Sequence, residues 1–123
     1  MAPLLTFYGD DFTGSTAVME VLSFAGVPTM LFMEPPELDV LTEYPTLQAI
    51  GVAGTARSKN PAWMRSNLPA VFERLKNFGA PVSHYKVCST FDSSPEIGSI
   101  GVATEIGDAI FGADWVPLIV GAP

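Results

Sequence analysis

The sequence predicts an α/β fold of the three-layer, Rossmann-like kind: an open, mostly parallel sheet of about five strands with helices on both faces. Three observations carry this reading. Short apolar runs alternate with longer segments of helical spacing. Several of those runs are apolar throughout instead of alternating, as strands covered on both faces are. The 123 residues are 48% apolar and 15% charged, a globular composition with enough chain for one domain and its own core.

The elements follow in order along the chain. Residues 4–8 read as the first strand, and a turn holding Asp10, Asp11 and Thr13 leads into a helix over 15–24. That helix carries Val18, Val21 and Leu22 at helical spacing and stops at Gly26. Residues 27–33 form a second strand, broken by Glu34-Pro35-Pro36, and a short helical turn is expected over 38–44. Residues 47–53 form a third strand bounded by Gly54. Asn60 and Pro61 are a cap and a first-turn proline, opening a helix that runs to about 78 with Trp63, Leu68, Val71, Phe72 and Leu75 inward. Gly79 ends it, and Pro69 is expected to bend or interrupt it. Residues 82–87 form a fourth strand. A third full helix starts at 97 or 99 and ends at 111, weakened by Gly98, Gly101 and Gly107. Residues 116–120 read as a fifth strand ending at Gly121. There is no repeat, low-complexity tract or linker, and a domain ending on an uncovered strand has the look of a piece of something longer.

Charge and cysteine usage exclude several classes. Thirteen acids against six bases give a net charge of −7, which argues against nucleic-acid binding. An anionic ligand would be repelled at long range and would need locally placed cations. The candidates are Arg57, Lys59, Arg65, Arg74, Lys76 and Lys86. The single Cys88 excludes an internal disulfide and fits a reducing cytoplasm, and one His84 with one Cys88 cannot make a standard zinc site. No apolar run approaches the roughly 20 residues of a membrane span, and no basic segment precedes the first one.

In an open parallel sheet, ligands bind beyond the carboxyl ends of the strands. The first strand would deliver Asp10 and Asp11 there. The third would deliver Thr55, Arg57 and Ser58, the fourth Lys86, Ser89, Thr90 and Asp92, and the fifth Gly121. Carboxylates, two cations and several hydroxyls suit a small polyhydroxylated anion. Blander readings stand beside this one. One Asp could cap the first helix, Arg57 could be a solvated loop residue, and Lys86 could reach out to water. The Ser-Thr-rich run after Cys88 could be a turn and a helix cap. Gly98 and Gly101 could permit close helix packing or bring backbone amides to an anion. His84 lies within a strand and reads as structural, and Cys88 has no His partner for a nucleophile role. A response-regulator receiver domain would need a carboxylate after the third strand, where Ala53-Gly54-Thr55 stands. No phosphate loop of the P-loop or dinucleotide type is present.

Asp10-Asp11-Phe12-Thr13-Gly14-Ser15 resembles the D-D-x-T-G-[AS] opening of the four-carbon acid sugar kinases. Thr55-Ala56-Arg57-Ser58 resembles that family's segment after the third strand. The stretch from Tyr85 through Ser89, Thr90 and Pro95 to Gly101 is similar to its K-x-x-S-T-x-x-S-x-x-x-G-N-I-G region, closest to the 3-oxo-tetronate kinase branch. The resemblance covers the entire chain. It implies that residues 1–123 are an acid-sugar-binding N-terminal domain, apparently truncated, whose ATP-binding C-terminal domain is absent. The full-length enzyme would transfer a phosphoryl group from ATP, with Mg²⁺, to a hydroxyl of a four-carbon sugar acid. The chain alone would bind no cofactor and be inactive. On this view Arg57 and Lys86 take the substrate carboxylate. Asp11, the candidate catalytic group, and Asp10 orient its hydroxyls, with Ser58, Ser89 and Thr90 adding contacts. Gly98 and Gly101 are weak candidates for a cofactor phosphate. Relatives commonly carry an acidic residue where Ala17 stands and a basic one where Val102 stands, so two polar groups are missing here. That leaves a second reading, a non-catalytic binding or interaction domain, and a homodimer is expected from an incompletely covered sheet.

Overall fold

A computed structural model describes residues 2–120. Four strands and three full helices alternate: β1 (Leu5–Gly9), α1 (Phe12–Phe24), β2 (Thr29–Phe32), a short α2 (Val40–Glu43), β3 (Ala49–Ala53), α3 (Pro61–Lys76), β4 (Val82–Lys86) and α4 (Ile100–Phe111). The sheet is parallel throughout, in the order β2-β3-β1-β4. The three-layer α/β architecture read from the sequence is therefore observed, with four strands instead of five.

Register divides the strand residues between two faces. Tyr8 lies beside Val52 on one side and Tyr85 on the other, and Thr6 beside Ile50 and Ser83. This face packs on Met64, Leu68, Phe72 and Leu75 of α3, with Ala103 and Ile106 of α4 completing the core. Its centre is aromatic. Tyr8 and Tyr85 stack at 5.5 Å, and Phe72 meets both edge-on at 5.9 and 6.2 Å. The opposite face is covered by α1, where Gly9 is obligatory in size: a Cβ there would stand 1.8 Å from the Ser15 hydroxyl. This contact lets α1 sit directly on the carboxyl end of β1.

Helix ends follow their punctuation. Asn60 caps α3 by accepting from the Trp63 amide, and Ser99 caps α4 by accepting from Val102. Gly26 and Gly79 lie at positive φ of 81° and 72°, where the sequence placed helix stops. Three expectations need correction. α1 begins three residues earlier than the spacing implied, because Asp11 and not a later residue supplies its cap. α3 is not interrupted at Pro69, since its packing against the sheet and α4 outweighs one lost backbone bond. Residues 116–120 form no strand: they run beyond α4 with Leu118 and Ile119 exposed, and pair with no edge. Gly121, expected at the end of that strand, lies outside the described residues.

Candidate functional site

Because β1, β3 and β4 are parallel neighbours, their carboxyl ends open on one edge. Backbone bonds lock the three exits together. The Gly54 amide donates to Gly9 O, the Asp10 amide to Lys86 O and the Arg57 amide to Asp10 O, at 2.9, 2.9 and 3.0 Å. The segments that leave the sheet here are thus held in register before any side chain is considered.

Asp11 serves two partners. Its Oδ1 accepts from the Gly14 amide at 2.7 Å as the cap of α1, and its Oδ2 accepts from Arg57 Nη1 at 3.1 Å. The sequence left capping and ligand recognition as alternatives for this residue; the geometry gives one oxygen to the cap and the other to Arg57. Arg57 stands on a 3-10 turn, Ala56–Ser58, immediately after β3. The rest of its guanidinium faces the loop after β4. Nε and Nη2 donate to the two oxygens of Asp92 at 3.4 and 3.1 Å, and Nη2 also reaches Thr90 Oγ1 at 3.3 Å. The same pairing holds the Asp92 carboxyl below the usual carboxylate range. Asp92 was legible only as part of a turn-rich run, since its partner lies 35 residues away in sequence.

Asp10 is different in kind. It is 4% exposed, and its Oδ1 is buried with no hydrogen-bond partner. Burial first, and the adjacent Asp11 charge second, push its pKa up to about 6, against the opposing pull of Arg57 and Lys86. Lys86 extends across Gly14, close enough that a Cβ there would lie 3.7 Å from Nζ, and Nζ donates to Val87 O. A cavity of about 240 Å³ is lined by Asp10, Asp11, Phe12, Gly54, Thr55, Arg57 and Ser58. An adjoining cavity shares Phe12, Gly54 and Thr55 with it and extends toward Met33, Trp63 and Val71.

The remaining sequence candidates are less central. The Ser58 hydroxyl lines the cavity but donates to Thr55 O. Ser89 lies exposed on the loop beside Thr90. Gly98, at φ 62°, donates its amide to Lys59 O, and a Cβ there would stand 2.5 Å from Arg57 O. Its role is close approach between two loops, with its N–H engaged inside the chain. Gly101 is exposed in the first turn of α4. Ala17 is exposed on α1, and Val102 packs against the core. Among the described residues no three His, Cys, Asp or Glu side chains converge as a metal-binding group. No residue is assigned to ATP or Mg²⁺. No helix of the described residues is long and apolar enough to cross a membrane.

Comparison with known proteins identifies the family. Residues 5–123 match the family described as "Sugar-binding N-terminal domain". The chain is 50% identical over 120 residues to a 3-oxo-isoapionate kinase of Paraburkholderia graminis, covering 98% of this chain and 26% of that protein. It is 34% identical over 111 residues to a 3-oxo-tetronate kinase of Burkholderia multivorans (89% and 25% covered), and 29% identical over 113 residues to one of Pseudomonas fluorescens (92% and 26% covered). The chain spans about a quarter of the length of these curated relatives.

Proposed function

The chain belongs to the family of sugar-binding N-terminal domains, and from that premise we propose that it is the substrate-holding domain of a kinase acting on a small sugar acid. The ligand is a four-carbon sugar acid or a close relative, held at the carboxyl edge of the sheet while a region outside this chain binds ATP and Mg²⁺. The observation that carries the reading is the convergence of Arg57, Asp10 and Asp11 on one cavity from two neighbouring strands. Relatives named for phosphorylating 3-oxo sugar acids support it.

Each group has a task suited to its chemistry. Arg57 takes the carboxylate through paired N–H donors, with Lys86 adding charge. Asp11, fixed by the α1 cap, accepts from one sugar hydroxyl. Asp10 brings a buried carboxyl oxygen without a partner, which a second hydroxyl would satisfy. Thr90 and Ser89 add hydroxyl contacts from the loop. Ser58 contributes at the cavity wall. Together these groups orient the acceptor hydroxyl, and in phosphoryl transfer such positioning supplies a large share of the rate. Asp11 is the group proposed to touch the reacting hydroxyl.

Titrating the chain with D-erythronate by calorimetry tests the reading. Arg57→Ala is expected to abolish measurable binding, and an unchanged affinity would remove Arg57 from the site. Self-association is proposed as well, supported by the exposure of Trp115, Leu118 and Ile119 beyond α4. Light scattering at low micromolar concentration would report a dimer if so and a monomer otherwise.

A further inference from the structure

We propose that Asp92 is an internal stand-in for the ligand carboxylate: it fills the Nε–Nη2 edge of Arg57 while the site is empty, and it must leave before a sugar acid can bind. The inference rests on the reading of the site as one for a sugar acid.

Geometry is the first argument. Asp92 meets Arg57 through both carboxylate oxygens, at 3.4 and 3.1 Å, which is the two-point arrangement a bound carboxylate would adopt. With Nη1 on Asp11 and Nη2 also on Thr90, no edge of the guanidinium is left for a second two-point partner.

Charge is the second. Arg57 flanked by two carboxylates is a unit of net negative charge, which repels an anion. With Asp92 swung away, the site loses one negative charge, and Arg57 and Lys86 then balance Asp11 and Asp10.

The third argument decides which carboxylate moves. Asp11 is 19% exposed at its side chain and is pinned by the α1 cap, whereas Asp92 is 57% exposed. Asp92 sits between a short turn, closed by the Phe91 amide donating to Cys88 O, and a more firmly anchored loop. From Ser93 onward the loop is tied down: the Ile100 amide donates to Ser93 Oγ, the Ser94 amide to Ile97 O and the Gly98 amide to Lys59 O. Ahead of it, Phe91 adopts φ 51°, a left-handed conformation unfavourable for an aromatic residue. Release of Asp92 would let that residue relax.

The consequence is selectivity. A ligand must outcompete an intramolecular carboxylate, so a plain carboxylate such as acetate fails. A hydroxy acid, which also offers hydroxyls to Asp10 and Asp11, succeeds.

The test is calorimetric titration of the wild-type chain and of Asp92→Asn and Asp92→Ala with D-erythronate and with acetate, alongside hydrogen exchange over residues 88–92. Both variants alter an exposed side chain, and circular dichroism checks their fold. The expected result is roughly fivefold tighter erythronate binding by both variants, the scale of one exposed ion pair. Weak acetate binding should appear only in the variants, and erythronate should speed exchange across 88–92 in the wild type. Equal or weaker erythronate binding by the variants would overturn the proposal and make Asp92 a positioning residue for Arg57, leaving the sugar-acid site intact. Failure of all three proteins to bind erythronate would overturn both.

Discussion

The two central strands of the sheet and its edge strand β4 are built from similar lengths of chain and reach opposite ends of the burial scale. β3 is buried at every residue and β1 at all but its first, whereas the first three residues of β4 are exposed. The candidate site straddles that boundary. Asp10, Asp11 and Arg57 leave the buried strands and are locked by backbone bonds and a helix cap. Thr90 and Asp92 leave the edge strand β4 on a loop that their side chains tie to the site through Arg57. A binding site assembled this way has a rigid half that sets geometry and a movable half that can respond to a ligand. The moving half is the part with little to lose by opening.

The contrast can be broken most forcefully at its centre. Phe72→Ala removes the ring that meets Tyr8, Tyr85 and Phe111, and is expected to cost about 3 to 5 kcal/mol in urea denaturation. Val82→Ala on β4, 54% exposed, should fall within about 0.5 kcal/mol. Comparable losses at the two positions would erase the distinction between centre and edge.

Asp10 sharpens the comparison next. Its folded pKa, about 6, lies above the ordinary 3.8, so the fold disfavours the ionised form. The cost is absent below about pH 4, grows as pH rises toward 6 and is full above it. Asp10→Asn should therefore stabilise the chain by about 2 to 3 kcal/mol at pH 8 and by nothing measurable at pH 4. A pH-independent difference in denaturation midpoint would show that the buried charge is not the cause.

The smallest effect belongs to the surface. Arg65 and Glu105 bridge α3 and α4 at 2.8 Å with both side chains more than half exposed. A double-mutant cycle should assign them less than about 0.5 kcal/mol, because solvent screens the pair. A coupling of several times that size would mean that α4 depends on a polar clasp more than on Ala103 and Ile106.

Much of this fold was legible in the residues because it depends on local rules. Uniform apolar runs gave β1 and β3, and Gly26, Gly79, Asn60 and Pro61 marked helix ends where the structure has them. What failed depended on the rest of the molecule. Residues 116–120 have the composition of a strand, but a strand exists only when an edge accepts it. Pro69 breaks a local rule that tertiary packing overrides. At the site, the sequence named Asp10, Asp11, Arg57 and Lys86 and placed them on one edge. It could not show that Asp11 divides its oxygens between a helix and a cation, nor that Asp92 would be the third corner. Both facts arise from loops that meet only after the sheet has formed.

The strand order has a consequence for how the chain is made. β1 is made before either of its neighbours, and both lie far downstream: Leu5 is paired with Ala49 on one side and Val82 on the other. Nothing emerging in between can satisfy its backbone. One side of β1 therefore stays unpaired until β3 has been made and the other until β4 has, and parallel sheets closed over such long loops fold slowly. A chaperone that shields the first dozen residues would shorten the window in which this protein can misassemble.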